Sequence, residues 1–180
     1  LNKNIIAYPF KLDIEQYDKY NEFISQLKKD ICTIIITVGY LEYPEKNKDK
    51  ILSVNYYGPK LILEKILNEN KLESIIRIVV ITSVAADRKN YKETNYSIAK
   101  YKLSTFIKEL QRNYRELKII EIKPGYVRTK MTKDLKLPFI LLSSSKYVAK
   151  KIVNSFNSKE KSIYVPYFWK YIVIIYNFFK

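Results

Sequence analysis

Short runs of β-branched residues, each followed by a stretch with helical spacing, constrain this fold more than any other feature of the sequence. The runs "ICTIIITVGY", "SIIRIVVITS" and "LKIIEIKPG" predict strands buried on both faces, ending at Gly39, Ser83 and Pro124–Gly125. Two more strands are predicted at 5–12 and in "KSIYVP". The apolar spacing between the runs predicts helices over 15–27, 51–67, 96–114 and 146–156. This alternation is typical of βαβ units, so we expect an α/β fold with a parallel sheet.

Small or polar residues interrupt the apolar runs at the carboxyl end of each predicted strand. Asp13, Gly39, Ser83 and Pro124–Gly125 hold these positions. The carboxyl ends of parallel strands meet at one edge of the sheet, and ligands of open α/β sheets bind beyond that edge. The sequence therefore predicts a single binding site formed by these strand ends.

Ser83, Tyr96 and Lys100 form the most informative constellation. Tyr-x-x-x-Lys occurs six times in this Tyr- and Lys-rich chain, so spacing alone leaves a half-buried surface tyrosine as an equal alternative. Only Tyr96 opens a long predicted helix soon after a serine that ends a strand. A lysine ammonium one helical turn from a phenol favours the phenolate, lowers the tyrosine pKa and suits it to proton transfer. The set fits proton transfer at an alcohol or ketone.

The amino-acid composition indicates the class of binding partner less specifically than these motifs indicate the chemistry. Lys and Arg outnumber Asp and Glu 33 to 18, a formal charge of +15, which favours anionic partners such as phosphorylated metabolites, nucleic acid or an acidic membrane. No block of five like charges accompanies this excess, so a general abundance of Lys, Asn, Ile and Tyr in the chain explains most of the charge equally well. Nucleic acid is the least expected of these partners. The chain has no histidine and one cysteine, Cys32 in an apolar run. We expect no metal site, no disulfide and a reducing compartment.

Together these motifs resemble the short-chain dehydrogenase/reductase family. In "VNYYGP", Asn55 matches the family's fourth catalytic residue beside Ser83, Tyr96 and Lys100, and "KPGYVRTKM" resembles the segment that closes over the nicotinamide. The resemblance implies a Rossmann-like doubly wound sheet and NAD or NADP as cofactor. The sequence does not distinguish between the two cofactors, because it does not contain the strand end that selects between them. It implies the following cofactor-binding residues: Asp13, Ile14, Gly39, Tyr96, Lys100, Pro124, Gly125, Val127 and Thr129.

One departure from the family pattern is large. The family opens with a strand, a Gly-x-x-x-Gly-x-Gly loop and a helix that holds the dinucleotide pyrophosphate. This chain contains only Gly39, Gly58 and Gly125, and it begins at what would be the third strand. The expectation is therefore a sheet lacking its first βαβ segment. Two alternatives to an active reductase stay open: an inactive remnant, or a basic module that binds membranes or nucleic acids.

Within the family, "SVAADR", "NYSIAKYKLSTF" and "PGYVRTKMT" resemble decaprenylphosphoryl-2-keto-erythropentose reductases and related envelope-polysaccharide enzymes. This implies a small-molecule or lipid-linked keto-sugar as substrate. We expect a catalytic domain over 1–166 and an apolar aromatic tail over 167–180, too short to span a bilayer. The tail predicts either peripheral contact of a cytoplasmic protein with the inner membrane through 168–180, or packing on the sheet or at a dimer contact. Analogy with the family predicts a homo-oligomer paired through the helices at 51–70 and 96–114.

Overall fold

A computed structural model describes residues 10–27, 33–68, 75, 77–132 and 138–179. The strands are β1 (Thr33–Ile36), β2 (Arg77–Ile81), β3 (Lys118–Pro124), β4 (Tyr126–Arg128), β5 (Leu142–Ser144) and β6 (Ser162–Val165). The helices are α1 (Tyr20–Ser25), α2 (Lys48–Leu52), α3 (Gly58–Asn68), α4 (Asn95–Asn113), α5 (Ser145–Ser155) and α6 (Trp169–Phe178). Short 3₁₀ turns cover Tyr17–Lys19, Val84–Asp87, Tyr91–Glu93, Lys130–Thr132 and Phe139–Leu141.

Four of these strands form one parallel sheet in the order β1-β2-β3-β6. Val79 of β2 pairs with Ile35 of β1 and with Ile120 of β3, and Ile122 pairs with Ile163 of β6. The strands β4 and β5 pair separately as a short parallel sheet. The predicted α/β fold with a parallel sheet is confirmed.

Helices cover both faces of the main sheet, because successive residues of β2 point to opposite sides. On one side Ile78 and Val80 pack with residues of α1, α3 and α4, including Leu63 and Ile107. On the other side Val79 packs with Ile120, Ile122 and two residues of α5, Val148 and Ile152. This two-sided core holds the sheet rigid and leaves the carboxyl ends of the strands as the place where loops diverge.

Several element boundaries differ from the sequence-based expectation. The strand predicted at 5–12 lies mostly outside the described residues, and Phe10–Leu12 carry no strand. The helix predicted at 15–27 is a 3₁₀ turn followed by the short α1. The helix predicted at 51–67 starts at Lys48 and widens into a π-type turn over Ser53–Tyr57 before α3. Helical spacing thus located both helical regions, but it did not show the 3₁₀ turn before α1 or the π-type turn between α2 and α3.

The strand β1 is less buried than its composition predicts. We expected a strand buried on both faces, but the Ile35 side chain is 43% exposed. Within the described residues β1 is an edge strand, paired only with β2. The run of β-branched residues therefore predicted the presence of the strand correctly, but its predicted burial on both faces was wrong.

The tail predicted at 167–180 contains α6, which packs back onto the domain. Trp169 and Val173 are buried with Val84, and Tyr126, Leu141 and Tyr164 pack against them. No helix in the described ranges is long and apolar enough to cross a membrane.

Candidate active site

The helix α4 presents Tyr96 and Lys100 from its first two turns. Its start is held by two side chains: Thr94 Oγ1 accepts a hydrogen bond from the Ser97 N–H at 3.1 Å, and the Glu45 carboxylate accepts from the N–H groups of Asn95 at 2.7 Å and Tyr96 at 3.1 Å. A carboxylate at a helix N-terminus also interacts favourably with the helix dipole. The backbone that carries Tyr96 is therefore fixed from both sides.

Lys100 is a buried cation. Its side chain is 2% exposed, and its Nζ lies 5.7 Å from the centroid of the Tyr96 ring. Burial lowers the pKa of Lys100 to about 8, because an ammonium loses hydration inside the protein. No carboxylate among the described residues forms an ion pair with this amine. Near neutral pH the group can therefore hold a proton or release it.

Tyr96 departs from the sequence-based expectation in the direction of its pKa. We expected Lys100 to lower the pKa, but burial raises the pKa of Tyr96 overall, and only a hydrogen-bond interaction with the Ser83 side chain opposes this. The reason is that desolvation of the phenolate outweighs its stabilisation. Ser83 Oγ also accepts a hydrogen bond from the Ala85 N–H at 3.1 Å, which orients the hydroxyl at the end of β2. Tyr96 is therefore protonated at neutral pH.

Asn55 lies in the π-type turn, and its side chain forms hydrogen bonds with the loop after β1. Its side chain is fully buried. Its Oδ1 accepts from the Tyr40 N–H at 3.1 Å, and its Nδ2 donates to the carbonyls of Tyr40 at 2.6 Å and Ile51 at 2.9 Å. Next to Tyr40, a Cβ at Gly39 would lie 3.5 Å from Asn55 Oδ1 and 3.8 Å from Lys100 Nζ. The Asn55 side chain thus links the loop after β1 to the turn that carries Ile51 and Asn55, and Gly39 in this loop lies close to Lys100.

A cavity of about 900 Å³ opens at the carboxyl ends of the strands. It is lined by most of the sequence-predicted site residues: Gly39, Ser83, Tyr96, Lys100, Pro124, Gly125, Val127 and Thr129. Asn55 lies behind this lining. The structure therefore brings residues from three strand ends and from α4 to one place.

Asp13 and Ile14 are not brought to this cavity. Asp13 Oδ1 accepts a hydrogen bond from the Glu15 N–H at 3.0 Å on the exposed surface. The Ile14 carbonyl accepts from the Tyr20 hydroxyl at 2.5 Å, and its side chain packs so closely on Gly58 that a Cβ there would lie 2.5 Å from Ile14 Cγ1. Their predicted contact with a cofactor stays a prediction.

Two charged residues of the cavity lining were missed by sequence reasoning. Glu45 and Arg88 both line it. Glu45 lies in the polar loop before α2, and nothing local shows that it contacts a helix start 50 residues later. Arg88 follows the 3₁₀ turn that begins after Ser83, and its proximity in sequence to Ser83 is the one signal that could have revealed it.

A buried cluster of charged residues lies next to the cavity lining. Lys123 Nζ lies 2.5 Å from Asp87 Oδ1 and 3.5 Å from Glu121 Oε2. Glu121 also accepts hydrogen bonds from Thr82 at 2.7 Å and Ser162 at 3.3 Å. The buried charges of β3 are therefore paired, as buried ions must be. The described residues contain no group of three or more His, Cys, Asp or Glu that could hold a metal ion.

The family model described as short chain dehydrogenase matches residues 2–138. The chain belongs to this family. The family prediction is thereby confirmed, and with it the predicted enzyme class of NAD(P)-dependent dehydrogenases and reductases. No curated protein matches the chain in sequence.

Three solved structures of similar fold share 16–17% sequence identity with this chain. One is a short chain dehydrogenase from Burkholderia cenocepacia in complex with NADP, with a TM-score of 0.74 and 16% identity; the match covers 87% of this chain and 68% of the dehydrogenase. A second is a 3-oxoacyl-[acyl-carrier protein] reductase from Brucella melitensis in complex with NAD, with a TM-score of 0.73 and 17% identity; the match covers 86% of this chain and 74% of the reductase. A third is an alcohol dehydrogenase from Thermococcus sibiricus complexed with 5-hydroxy-NADP, with a TM-score of 0.70 and 16% identity; the match covers 85% of this chain and 71% of the alcohol dehydrogenase.

Proposed function

We propose that this protein reduces a ketone to an alcohol with NAD or NADP as cofactor and Tyr96 as the proton donor. The observation that carries the proposal is the meeting of Ser83, Tyr96 and Lys100 at one cavity formed by the strand ends. Solved structures of the same fold are complexes with NADP and NAD, which supports the choice of cofactor.

The cofactor assignment fits the donors present at the cavity. The buried amine of Lys100, with no carboxylate partner in the described part of the chain, suits the hydroxyls of a ribose. The Pro124–Gly125 corner, Val127 and Thr129 line the same cavity and would hold the nicotinamide. When bound, this group supplies the hydride for the carbonyl carbon.

The protein's own residues then handle the proton. Because burial raises the Tyr96 pKa, the phenol is protonated at neutral pH and can donate to the developing alkoxide. The Ser83 hydroxyl, fixed by the Ala85 N–H, would hold the carbonyl oxygen beside Tyr96. Lys100, with a pKa of about 8, would stabilise the resulting phenolate and help to return its proton. Asn55 would keep the end of β1 in place and, as the family resemblance implies, hold a water of the proton relay.

We further propose a substrate of the lipid-linked keto-sugar class, reached through peripheral contact of α6 with the cytoplasmic face of the membrane. The supporting observation is that Ile174, Ile175 and Phe178 of α6, with Phe179 after it, are exposed. Residues 122–180 also contain 12 Lys and Arg against 2 Asp and Glu, which favours an anionic bilayer. A homo-oligomer paired through α2–α3 and α4 remains part of this proposal.

A Tyr96→Phe variant tests the proposed reaction, with Tyr147→Phe as a matched control. Tyr147 belongs to another Tyr-x-x-x-Lys pair, with Lys151 Nζ 5.5 Å from its ring centroid, but it does not line the cavity. With NADH or NADPH and a short-chain prenyl-phosphate keto-sugar, Tyr96→Phe should lower kcat/KM by a factor of about 10²–10⁴. Tyr147→Phe should change it less than twofold.

Equal effects of the two substitutions would contradict the role of Tyr96. Cofactor or lipid binding by the wild type without any turnover would instead favour the binding-module alternative.

A further inference from the structure

Arg88 is a cation at the cavity that the proposed proton transfer does not use. It lines the same cavity as Tyr96 and Lys100. Its guanidinium carbon lies 5.8 Å from the centroid of the Tyr176 ring in α6, and no carboxylate of the described residues forms an ion pair with it. An arginine in a largely apolar cavity lining, without an anionic partner in this part of the chain, is suited to an anion brought by a ligand.

The backbone before Arg88 is fixed by the buried charged cluster. The carboxylate of Asp87 lies 2.5 Å from Lys123 Nζ and accepts a hydrogen bond from the Tyr164 hydroxyl at 2.7 Å. Both partners come from neighbouring strands, β3 and β6, so Asp87 is tied to the sheet itself. The acidic neighbour of Arg88 is therefore already paired and does not neutralise it.

The backbone around Arg88 is also fixed by α6. Asn177 donates to the Asp87 carbonyl at 2.7 Å and accepts from the Lys89 N–H at 2.7 Å. The Tyr176 hydroxyl donates to Asn90 Oδ1 at 2.8 Å. The polar side of α6 thus holds the segment on both sides of Arg88, and a positioned guanidinium loses less entropy when it binds an anion.

The surface beside this arginine is apolar. The outer side of α6 exposes Ile172 and Ile175. The 3₁₀ turn at Phe139–Leu141 joins it, because Leu141 packs against Trp169 and Val173 of α6 while Phe139 and Ile140 are exposed. A ligand with an anionic group and a hydrocarbon chain would find both partners here, the guanidinium at the cavity and the apolar surface next to it.

We propose that Arg88 binds the phosphate of a lipid-linked substrate at the cavity rim while the hydrocarbon chain lies on the apolar surface of α6. The inference rests on the proposed function and names the group that selects its substrate. An arginine fork matches phosphate oxygens with two parallel hydrogen bonds, which gives both affinity and orientation. The phosphate of a nucleotide has the same chemistry, so the experiment must separate the two sources.

The single tryptophan provides the measurement. Trp169 is buried and contacts Gly125 and Tyr126, which line the cavity. A Cβ at Gly125 would collide with the Trp169 indole, and the Tyr126 and Trp169 ring centroids are 5.6 Å apart. Farnesyl phosphate, farnesol and NADPH are titrated in turn while the fluorescence of Trp169 is followed. The variants are Arg88→Gln and Arg88→Lys. The control is Arg112→Gln, an exposed arginine of α4 outside the cavity lining.

Arg88→Gln should weaken farnesyl phosphate binding at least tenfold, leave farnesol and NADPH within twofold, and exceed the effect of Arg88→Lys. Arg112→Gln should change none of the three more than twofold. Equal weakening of farnesyl phosphate and farnesol, loss of NADPH binding alone, or no binding of farnesyl phosphate by the wild type would each overturn the proposal. Arg88-dependent phosphate binding in a chain that reduces no keto-sugar would refute the proposed reaction and leave this inference standing.

Discussion

The helices α4 and α6 depart in opposite ways from the usual distribution of residues between core and surface. The helix α4 buries eight residues, and one of them is Lys100. The helix α6 buries only Trp169 and Val173, although most of its residues are apolar. A buried ammonium and exposed aliphatic or aromatic side chains both cost free energy. Departures of this kind are expected at functional sites. The buried ammonium of α4 lies at the cavity, and the exposed apolar side chains of α6 lie on the surface for which we propose a ligand.

The largest expected effect comes from removing an apolar side chain from each helix. Ile107 of α4 is fully buried, whereas Ile175 of α6 is 57% exposed. Ile107→Ala should lower the free energy of unfolding by about 2–5 kcal/mol, because it leaves a cavity in a packed core. Ile175→Ala should change it by less than about 0.5 kcal/mol. Urea denaturation followed by circular dichroism measures both.

Similar losses for the two variants would mean that the outer face of α6 is buried in an assembly. Repeating the denaturation of Ile175→Ala over a range of protein concentrations separates this case, since a stability that depends on assembly also depends on concentration.

The same two helices show what the sequence could predict. The helix α4 was predicted within one residue at each end, because its apolar residues recur with helical spacing. The apolar character of the tail was equally visible. Packing on the domain was one of the predicted outcomes, but its contacts could not be predicted, because Trp169 lies against Gly125, a residue 44 positions away in the chain.

At the cavity, the sequence predicted lining residues that follow strand ends and missed those that depend on long-range contacts. Ser83, Gly39 and Gly125 line the cavity, and each was singled out because it ends an apolar run. Glu45 was missed because its role, holding the start of α4, follows from no local pattern. The strands β4 and β5 were missed since three residues are too few to show a period of two.

A second prediction concerns the buried cation of α4. Burial lowers the Lys100 pKa from 10.5 to about 8, so the unfolded chain binds more protons between these values and stability should rise with pH across this window. Below about pH 8 the folded chain carries the full cost of the buried ammonium. Lys100→Met should therefore stabilise the fold at pH 7, by on the order of 3 kcal/mol at most, and this advantage should shrink towards pH 10.5.

Chemical denaturation at pH 7, 8.5 and 10 measures this change, with Lys108→Met on the exposed side of α4 as the control. The control should show little effect at any of the three values. A Lys100→Met variant that is less stable than wild type at pH 7, or whose effect is independent of pH, would show that the amine is not held at this cost.

The smallest expected effect concerns the exposed side of α6 and its proposed contact with a bilayer. Phe178 is 82% exposed, so Phe178→Ser should hardly change folding stability but should weaken binding to anionic vesicles. Burying a phenylalanine side chain contributes about 1.5–3 kcal/mol of free energy. A side chain that enters only the membrane interface should gain the lower end of this range, which corresponds to roughly a tenfold change in partitioning.

Val153→Ser, which removes an exposed apolar side chain from α5, is the matched control. Sedimentation with vesicles that contain about a third of anionic lipid measures both variants. If Val153→Ser weakens binding as much as Phe178→Ser, the contact with the vesicles does not depend specifically on α6. If neither variant weakens binding, the proposed contact of α6 with a bilayer is wrong.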